Sequence, residues 1–259
     1  PRPCRPLLRR STIESAPARR HPPDTMLTRD LIEAIHPGPI DDPGVAIELA
    51  SDEELAASLA EFLRQRPDRG PVWLFAYGSL MWKPELPVIE QRVATVHGWH
   101  RRFCMWQWRH RGTRERPNLM LALERGGCCH GVVQRLSSRG LRDQLAQLWK
   151  REMIGRGYRA RWVQASTPTG PVHAIAFVIR RDSARYAGRL PDETVADYMA
   201  GACGYAGSAA EYLLHTWQAA ERVGVRDRYL HRMQALVATR LQALGARCTC
   251  SDGRQAQQE

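Results

Sequence analysis

Two short stretches of this 259-residue chain carry residue types that could do chemistry. One centres on Glu152. Leu141, Leu145 and Leu148 trace one face of a predicted helix at spacings of four and three, and Glu152 is the next position on that line. A carboxylate therefore continues an apolar stripe. Gly155 and Gly157 stop the helix just beyond, which sets Glu152 in the C-terminal turn, where the helix dipole disfavours negative charge. Burial and dipole both raise the pKa of such a carboxyl, and a carboxyl tuned upwards can exchange protons near neutral pH, as general acid–base catalysis requires. The same glutamate also reads as half of an ion pair with Arg151 or Arg156 at a helix end. Spacing alone leaves both readings standing.

The other stretch is the apolar run from Val72 through Leu74, Phe75, Ala76 and Tyr77, halted by Gly78-Ser79-Leu80. It is too short for a helix and rich in aromatic residues, so it predicts a buried strand. A glycine directly after a strand allows close backbone approaches that a Cβ would forbid, and the following N–H groups are left free to hold an anionic group. A plain strand end fits the same residues.

The elements around these stretches follow from pattern. Residues 1–25 are rich in Pro, Arg and Ser without apolar period, which predicts a disordered basic leader. It lacks the apolar core of a secretory signal, and Met26 is an alternative start for the natural product. Residues 26–70 read as a helical extension and linker. A short helix is expected over 27–35, and Ser51 with Glu54 forms a capping box for a helix carrying Leu55, Leu59, Phe62 and Leu63, expected to pack outside the core. From 71 to 245 a single domain is expected. It begins with mostly strands, over 88–96, 103–108, 118–124, 130–136, 162–165 and 172–179, with Gly126-Gly127 among the turn signals. Only the Glu152 helix interrupts them, so an α+β fold with a mixed or antiparallel sheet, open or closed into a small barrel, is expected rather than a doubly wound one. Helices follow: one from Pro191, one with Ser208 and Glu211 as a capping box, and one capped by Asp227 with a stripe of Leu230, Met233, Val237, Leu241 and Leu244. Residues 246–259 read as a disordered tail.

Composition excludes several classes. Net charge is +11, and every one of the 38 basic residues except Lys83 and Lys150 is arginine. The excess is densest in the leader and thin elsewhere, without the single basic stripe or module of a nucleic-acid binder. No run approaches the roughly 18 apolar residues of a membrane span. Seven cysteines form no even framework, and neither Cys128-Cys129 nor Cys248-Thr249-Cys250 has zinc-site spacing. A reduced, cytoplasmic compartment without a bound metal is the expectation.

The run Phe75-Ala76-Tyr77-Gly78-Ser79-Leu80-Met81-Trp82 resembles the YGSL signature of the ChaC-type gamma-glutamylcyclotransferases, which act on glutathione. Further pieces resemble that family in the same order: Arg101-Arg102-Phe103, His110-Arg111-Gly112-Thr113, Arg116-Pro117, Arg151-Glu152-Met153, Gly157-Tyr158, Tyr186-Ala187-Gly188, Glu211-Tyr212-Leu213 and 226–230. Together they span roughly Val72 to Leu244. The resemblance implies a gamma-glutamylcyclotransferase-like, barrel-like α+β fold with flanking helices and a helical C-terminal part. It implies release of 5-oxoproline and cysteinylglycine from glutathione without a cofactor, by attack of the glutamyl α-amine on its own γ-carbonyl. By position, Glu152 matches the family's catalytic glutamate. Leu74, Phe75, Ala76, Tyr77, Gly78, Ser79 and Leu80 match its substrate-binding stretch, and Tyr212 matches a tyrosine near the substrate, though a helix-face tyrosine fits Tyr212 equally. Where the family commonly has an acid before His-Arg-Gly, this chain has Arg109. A cyclotransferase for other gamma-glutamyl compounds, or a non-catalytic regulatory module of the same fold, are the competing readings.

Overall fold

The computed structural model describes residues 26–42 and 48–255, with side chains as far as Ala246. Strand β1 (Trp73–Ala76) lies at its centre. It pairs antiparallel with β3 (Asn118–Leu136), with Ala76 opposite Val132, and parallel with β5 (Val172–Ile179), with Leu74 opposite Ile175. β3 also pairs with β2 (Val88–Gln107), β2 with β4 (Tyr158–Ser166), and β4 with β5, so that the sheet closes as a barrel in the order β1-β3-β2-β4-β5. This is the mixed, barrel-like α+β architecture expected.

The two-residue period of a strand explains why β1 is apolar throughout. Trp73 and Phe75 enter a cluster with Phe103, Leu121 and Tyr212, while Leu74 and Ala76 enter another with Leu145, Leu148 and Trp149. Helices cover both faces, so alternation with polar residues would bury polar groups without partners. On one side lie α2 (Asp52–Arg64) and α3 (Leu141–Met153). On the other lie α4 (Asp192–Gly201), α5 (Ala209–Arg222) and α6 (Arg228–Gln255), with the short α1 (Arg29–Glu33) against them. No helix among the described residues is long and apolar enough to cross a membrane.

Several expectations are corrected. The strands expected over 88–96 and 103–108 are one strand, β2, and those over 118–124 and 130–136 are likewise one, β3. Gly126 and Gly127 take positive φ of 104° and 65° within β3, across from the ladder irregularity between His97 and Trp99, where Gly98 has φ 78°. They make a bulge that bends a paired strand, not a turn that ends it. The Ser51–Glu54 capping box is present in both halves, but α2 does not pack outside the core: Leu55, Leu59 and Phe62 are buried against α3 and the sheet. Phe62 stacks on Trp162 at 4.8 Å. At α5 only half of the second box forms, because Ser208 accepts from the Glu211 amide while the Glu211 carboxylate turns to Arg111. The tail expected from 246 is helical as far as Gln255, since neither Gly245 nor Gly253 interrupts α6. The leader, 1–25, and residues 256–259 lie outside the described residues.

Candidate active site

The turn that follows β1 is shaped by contacts from distant segments. A Cβ on Gly78 would stand 3.1 Å from the Tyr212 hydroxyl, so that any side chain there would push α5 back by a few tenths of an ångström, and glycine permits its close approach. Ser79–Met81 form a single 3₁₀ turn, in which Met81 N–H donates to Gly78 O (3.0 Å) and Trp82 N–H to Ser79 O (3.1 Å). As in the first turn of any helix, the amides of Gly78, Ser79 and Leu80 have no backbone acceptor among the described residues. The Ser79 amide lies against the Tyr212 hydroxyl.

Two carbonyls of the turn are pinned. Arg101 Nη1 donates to Tyr77 O (2.9 Å), and Gln134 Nε2 donates to Leu80 O (3.0 Å). Arg101 is itself buried in an ion pair with Asp227, Nε to Oδ2 at 3.0 Å, and the other oxygen of Asp227 caps α6 through the amides of Tyr229 and Leu230. The turn is thus tied to the last helix through one buried charge pair.

Glu152 lies in the last turn of α3, with Leu145 and Leu148 buried behind it. Its side chain is 12% exposed and pairs with Arg151, Nε to Oε1 at 3.0 Å. Burial pushes its carboxyl up from the ordinary value; the Arg151 charge opposes this and Glu85 adds to it. Arg151 cannot neutralise Glu152 alone, because it also donates to Lys83 O (2.6 Å), Glu85 (3.0 Å) and Ser79 Oγ (3.2 Å). Tyr77, Tyr158 and Tyr212 are all raised, first by burial and further by the Glu152 charge, Tyr212 to about 12. They are neutral phenols at physiological pH. Tyr77 donates to Phe177 O and Tyr158 to Leu121 O, each at 2.6 Å.

A cleft of about 460 Å³ opens over these groups, within the range of small-molecule sites. Beneath it is a small cavity of about 20 Å³ that shares Ser79, Glu152, Tyr158 and Tyr212 with the cleft wall and adds Tyr77, Gly78 and Leu80. Six of the residues singled out from sequence, Tyr77, Gly78, Ser79, Leu80, Glu152 and Tyr212, therefore meet. Leu74, Phe75 and Ala76 do not: they are fully buried strand residues that line neither space and only carry the turn.

Sequence reasoning quoted Arg101 and Tyr158 only as pieces of the family resemblance and passed over Gln134, giving none of the three a place in the site. Arg101 left a signal, since it falls in phase with the buried Phe103 on β2, and a charge on the apolar face of a strand needs a buried partner. Arg109 makes a two-pronged pair with Asp42 at 2.7 and 3.1 Å, and Arg111 finds its carboxylate in Glu211 at 2.8 Å. The rim of the cleft thus draws on the 26–70 segment. Among the described residues no group of three or more His, Cys, Asp or Glu could hold a metal ion.

Residues 72–240 match the model of the ChaC-like protein family. Over 180 residues the chain is 42% identical to a glutathione-specific gamma-glutamylcyclotransferase of Escherichia coli (strain K12), covering 69% of this chain and 78% of that one. It is 32% identical over 181 residues to glutathione-specific gamma-glutamylcyclotransferase 1 of Mus musculus, covering 67% and 81%. A crystal structure of a yeast gamma-glutamyl cyclotransferase specific to glutathione is similar with TM-score 0.61 at 20% identity, covering 66% of this chain and 97% of that one. At that identity the likeness concerns the fold.

Proposed function

The chain belongs to the ChaC-like protein family, and on that premise we propose that it is a gamma-glutamylcyclotransferase that cleaves glutathione to 5-oxoproline and cysteinylglycine, with Glu152 as the proton carrier. One observation carries the reading: a carboxyl raised by burial shares a cavity wall with the turn residues Gly78 to Leu80, whose amides have no backbone acceptor among the described residues. The amides hold the anionic end of the glutamyl group. Glu152 then takes a proton from the α-ammonium, and the freed amine forms a bond to the γ-carbonyl carbon. As the ring closes, the nucleophilic nitrogen gives up a second proton. The bond to the cysteinyl nitrogen breaks, and that nitrogen leaves as an ammonium. Both protons shed by the nucleophile end on the leaving nitrogen, so one carboxyl cycling twice balances the reaction.

The raised pKa matters to the rate. An α-ammonium has a pKa near 8, and proton transfer to a carboxylate at the ordinary value of 4.5 is uphill by about 3.5 units, or about 5 kcal/mol. Each unit by which burial raises Glu152 removes about 1.4 kcal/mol of that slope. The nucleophile and electrophile share one molecule, so the protein supplies folding of the substrate and proton movement. The setting that fits this reading is the cytoplasm.

Incubating the purified protein with glutathione and assaying 5-oxoproline and cysteinylglycine tests the proposal. Release of both in equal amounts is expected. No release from glutathione, with release from other gamma-glutamyl amino acids, would keep the reaction and overturn the substrate.

A further inference from the structure

Four arginines line the cleft: Arg109, Arg111, Arg151 and Arg185. Arg109 pairs with Asp42, Arg111 with Glu211, and Arg151 with Glu85 and Glu152. Arg185 has no carboxylate partner among the described residues, although burial works against its charge.

Its position is nevertheless fixed. Nε donates to Trp106 O at 3.0 Å and Nη1 to Gly155 O at 3.1 Å, which uses two of the five N–H donors of a guanidinium. The chain makes room for it. A Cβ on Gly155 would stand 2.3 Å from Arg185 Nη1, and one on Gly157 would stand 3.3 Å from it and 2.4 Å from Met105 Sδ. These glycines, read from sequence only as the stop of α3, also clear the space the guanidinium occupies. On its far side Arg185 borders a second depression of about 690 Å³, where Arg156 is paired with Glu48 and Arg180 with Asp182.

Resting on the cyclotransferase reading above, we propose that Arg185 is a specificity residue that receives the C-terminal carboxylate of the peptide leaving group, and thereby selects glutathione by its cysteinylglycine end. Reach supports this. Gly155, whose carbonyl holds Arg185, lies three residues beyond Glu152 in the tight turn that ends α3, where Arg156 N–H donates to Met153 O, and Glu152, Gly155 and Arg185 line the same cleft. The leaving nitrogen must come to Glu152, and two residues of peptide beyond it span at most about 7 Å. A terminal carboxylate two residues past the scissile bond therefore meets a planar, preset guanidinium, the geometry that suits a two-pronged pair.

The test compares glutathione with its glycinamide analogue, identical except for a neutral terminus, in 5-oxoproline release by the wild type, Arg185→Gln and Arg185→Lys, with melting temperatures measured alongside. The wild type is expected to prefer glutathione by about 10- to 100-fold in kcat/KM, the loss on the amide falling mainly in KM, as removal of one charge-assisted hydrogen bond predicts. Arg185→Gln should lose that factor on glutathione and almost nothing on the amide, and Arg185→Lys should recover part of it. A wild type that turns over both compounds equally overturns the proposal, as does an Arg185→Gln protein that loses the same factor on both. Should Arg185→Gln fail to fold, the wild-type comparison and Arg185→Lys decide. No 5-oxoproline from either compound would instead overturn the cyclotransferase reading itself.

Discussion

Glu124 and Glu152 are both largely buried, and each has an arginine at hydrogen-bonding distance, yet their acidities shift in opposite directions. On Glu124, burial pushes the carboxyl up, but hydrogen bonds from Tyr186 and Arg181, with the Arg181 charge, overcome it and hold the group below its ordinary value. On Glu152 burial wins. Its one direct partner, Arg151, divides its donors among Lys83, Glu85 and Ser79, and Glu85 is a second negative charge nearby. An arginine beside a carboxylate therefore decides little by itself. What decides is how deeply the carboxyl is desolvated, deeper at Glu152 than at Glu124, set against how many donors point at the charged form and how much of the arginine's charge is already shared.

The largest effect expected from this contrast is on turnover. Glu152→Gln keeps shape and removes proton transfer, so 5-oxoproline release should fall by about 10²- to 10⁴-fold. Its stability should move the other way. The folded pKa of Glu152 lies above that of the unfolded chain, so the folded state holds a proton the unfolded state has released between those values. The stability tied to that proton is complete below the unfolded pKa, about 4.5, and is lost as pH rises through the folded value. Glu152→Gln, which does not titrate, should match or exceed the wild-type melting temperature at pH 7 to 8. A large loss of stability there with near-normal turnover would make Glu152 a structural pair like Glu124.

Next in size is the buried pair that needs no proton transfer at all. Arg101→Ala strips Asp227 of its counter-charge and releases the Tyr77 carbonyl, and should cost about 3–5 kcal/mol in urea unfolding. A cost under 1 kcal/mol would mean the turn does not depend on α6.

Glu124→Gln should leave turnover unchanged and cost about 1 kcal/mol or less, since Arg181 is 61% exposed in its side chain and water screens that pair. A rate loss would bring Glu124 into the mechanism.

Glu85→Gln sharpens the comparison from the other side. It removes the charge that helps raise Glu152, so the acid limb of the pH–kcat profile should move to lower pH, with the plateau rate little changed. An unmoved limb would leave burial as the sole cause.

The smallest effect is expected at the rim, where Arg109→Ala breaks an exposed pair with Asp42 worth at most about 1 kcal/mol. Its stability difference should shrink further in high salt.

Much of the site was legible in the chain because it depends on near neighbours. The Val72–Tyr77 run, its stop at Gly78, the Ser51–Glu54 box, the Asp227 cap and the stripe that ends in Glu152 are each set by residues within a few positions of one another. Even the reading of Gly78 as a place of close approach needed only the missing Cβ, although what approaches, Tyr212, came from the fold. The same local rules misread Gly126-Gly127, because a bulge and a turn use the same residues and only pairing along the whole of β2 tells them apart. Local rules did read Leu74, Phe75 and Ala76 as a buried strand, while their place in the binding stretch came from the resemblance alone; that they line neither the cleft nor the cavity follows from the closed barrel. The pairs Arg101–Asp227 and Arg111–Glu211 join residues a hundred or more positions apart, and Arg151 reaches Ser79 across 72, so all three approach through the fold rather than along the chain. The sign of the shift on Glu152 and the missing carboxylate at Arg185 belong to this second class. Desolvation and Coulomb forces depend on distance in space and on what excludes water, and a sequence gives order along the chain but neither of those.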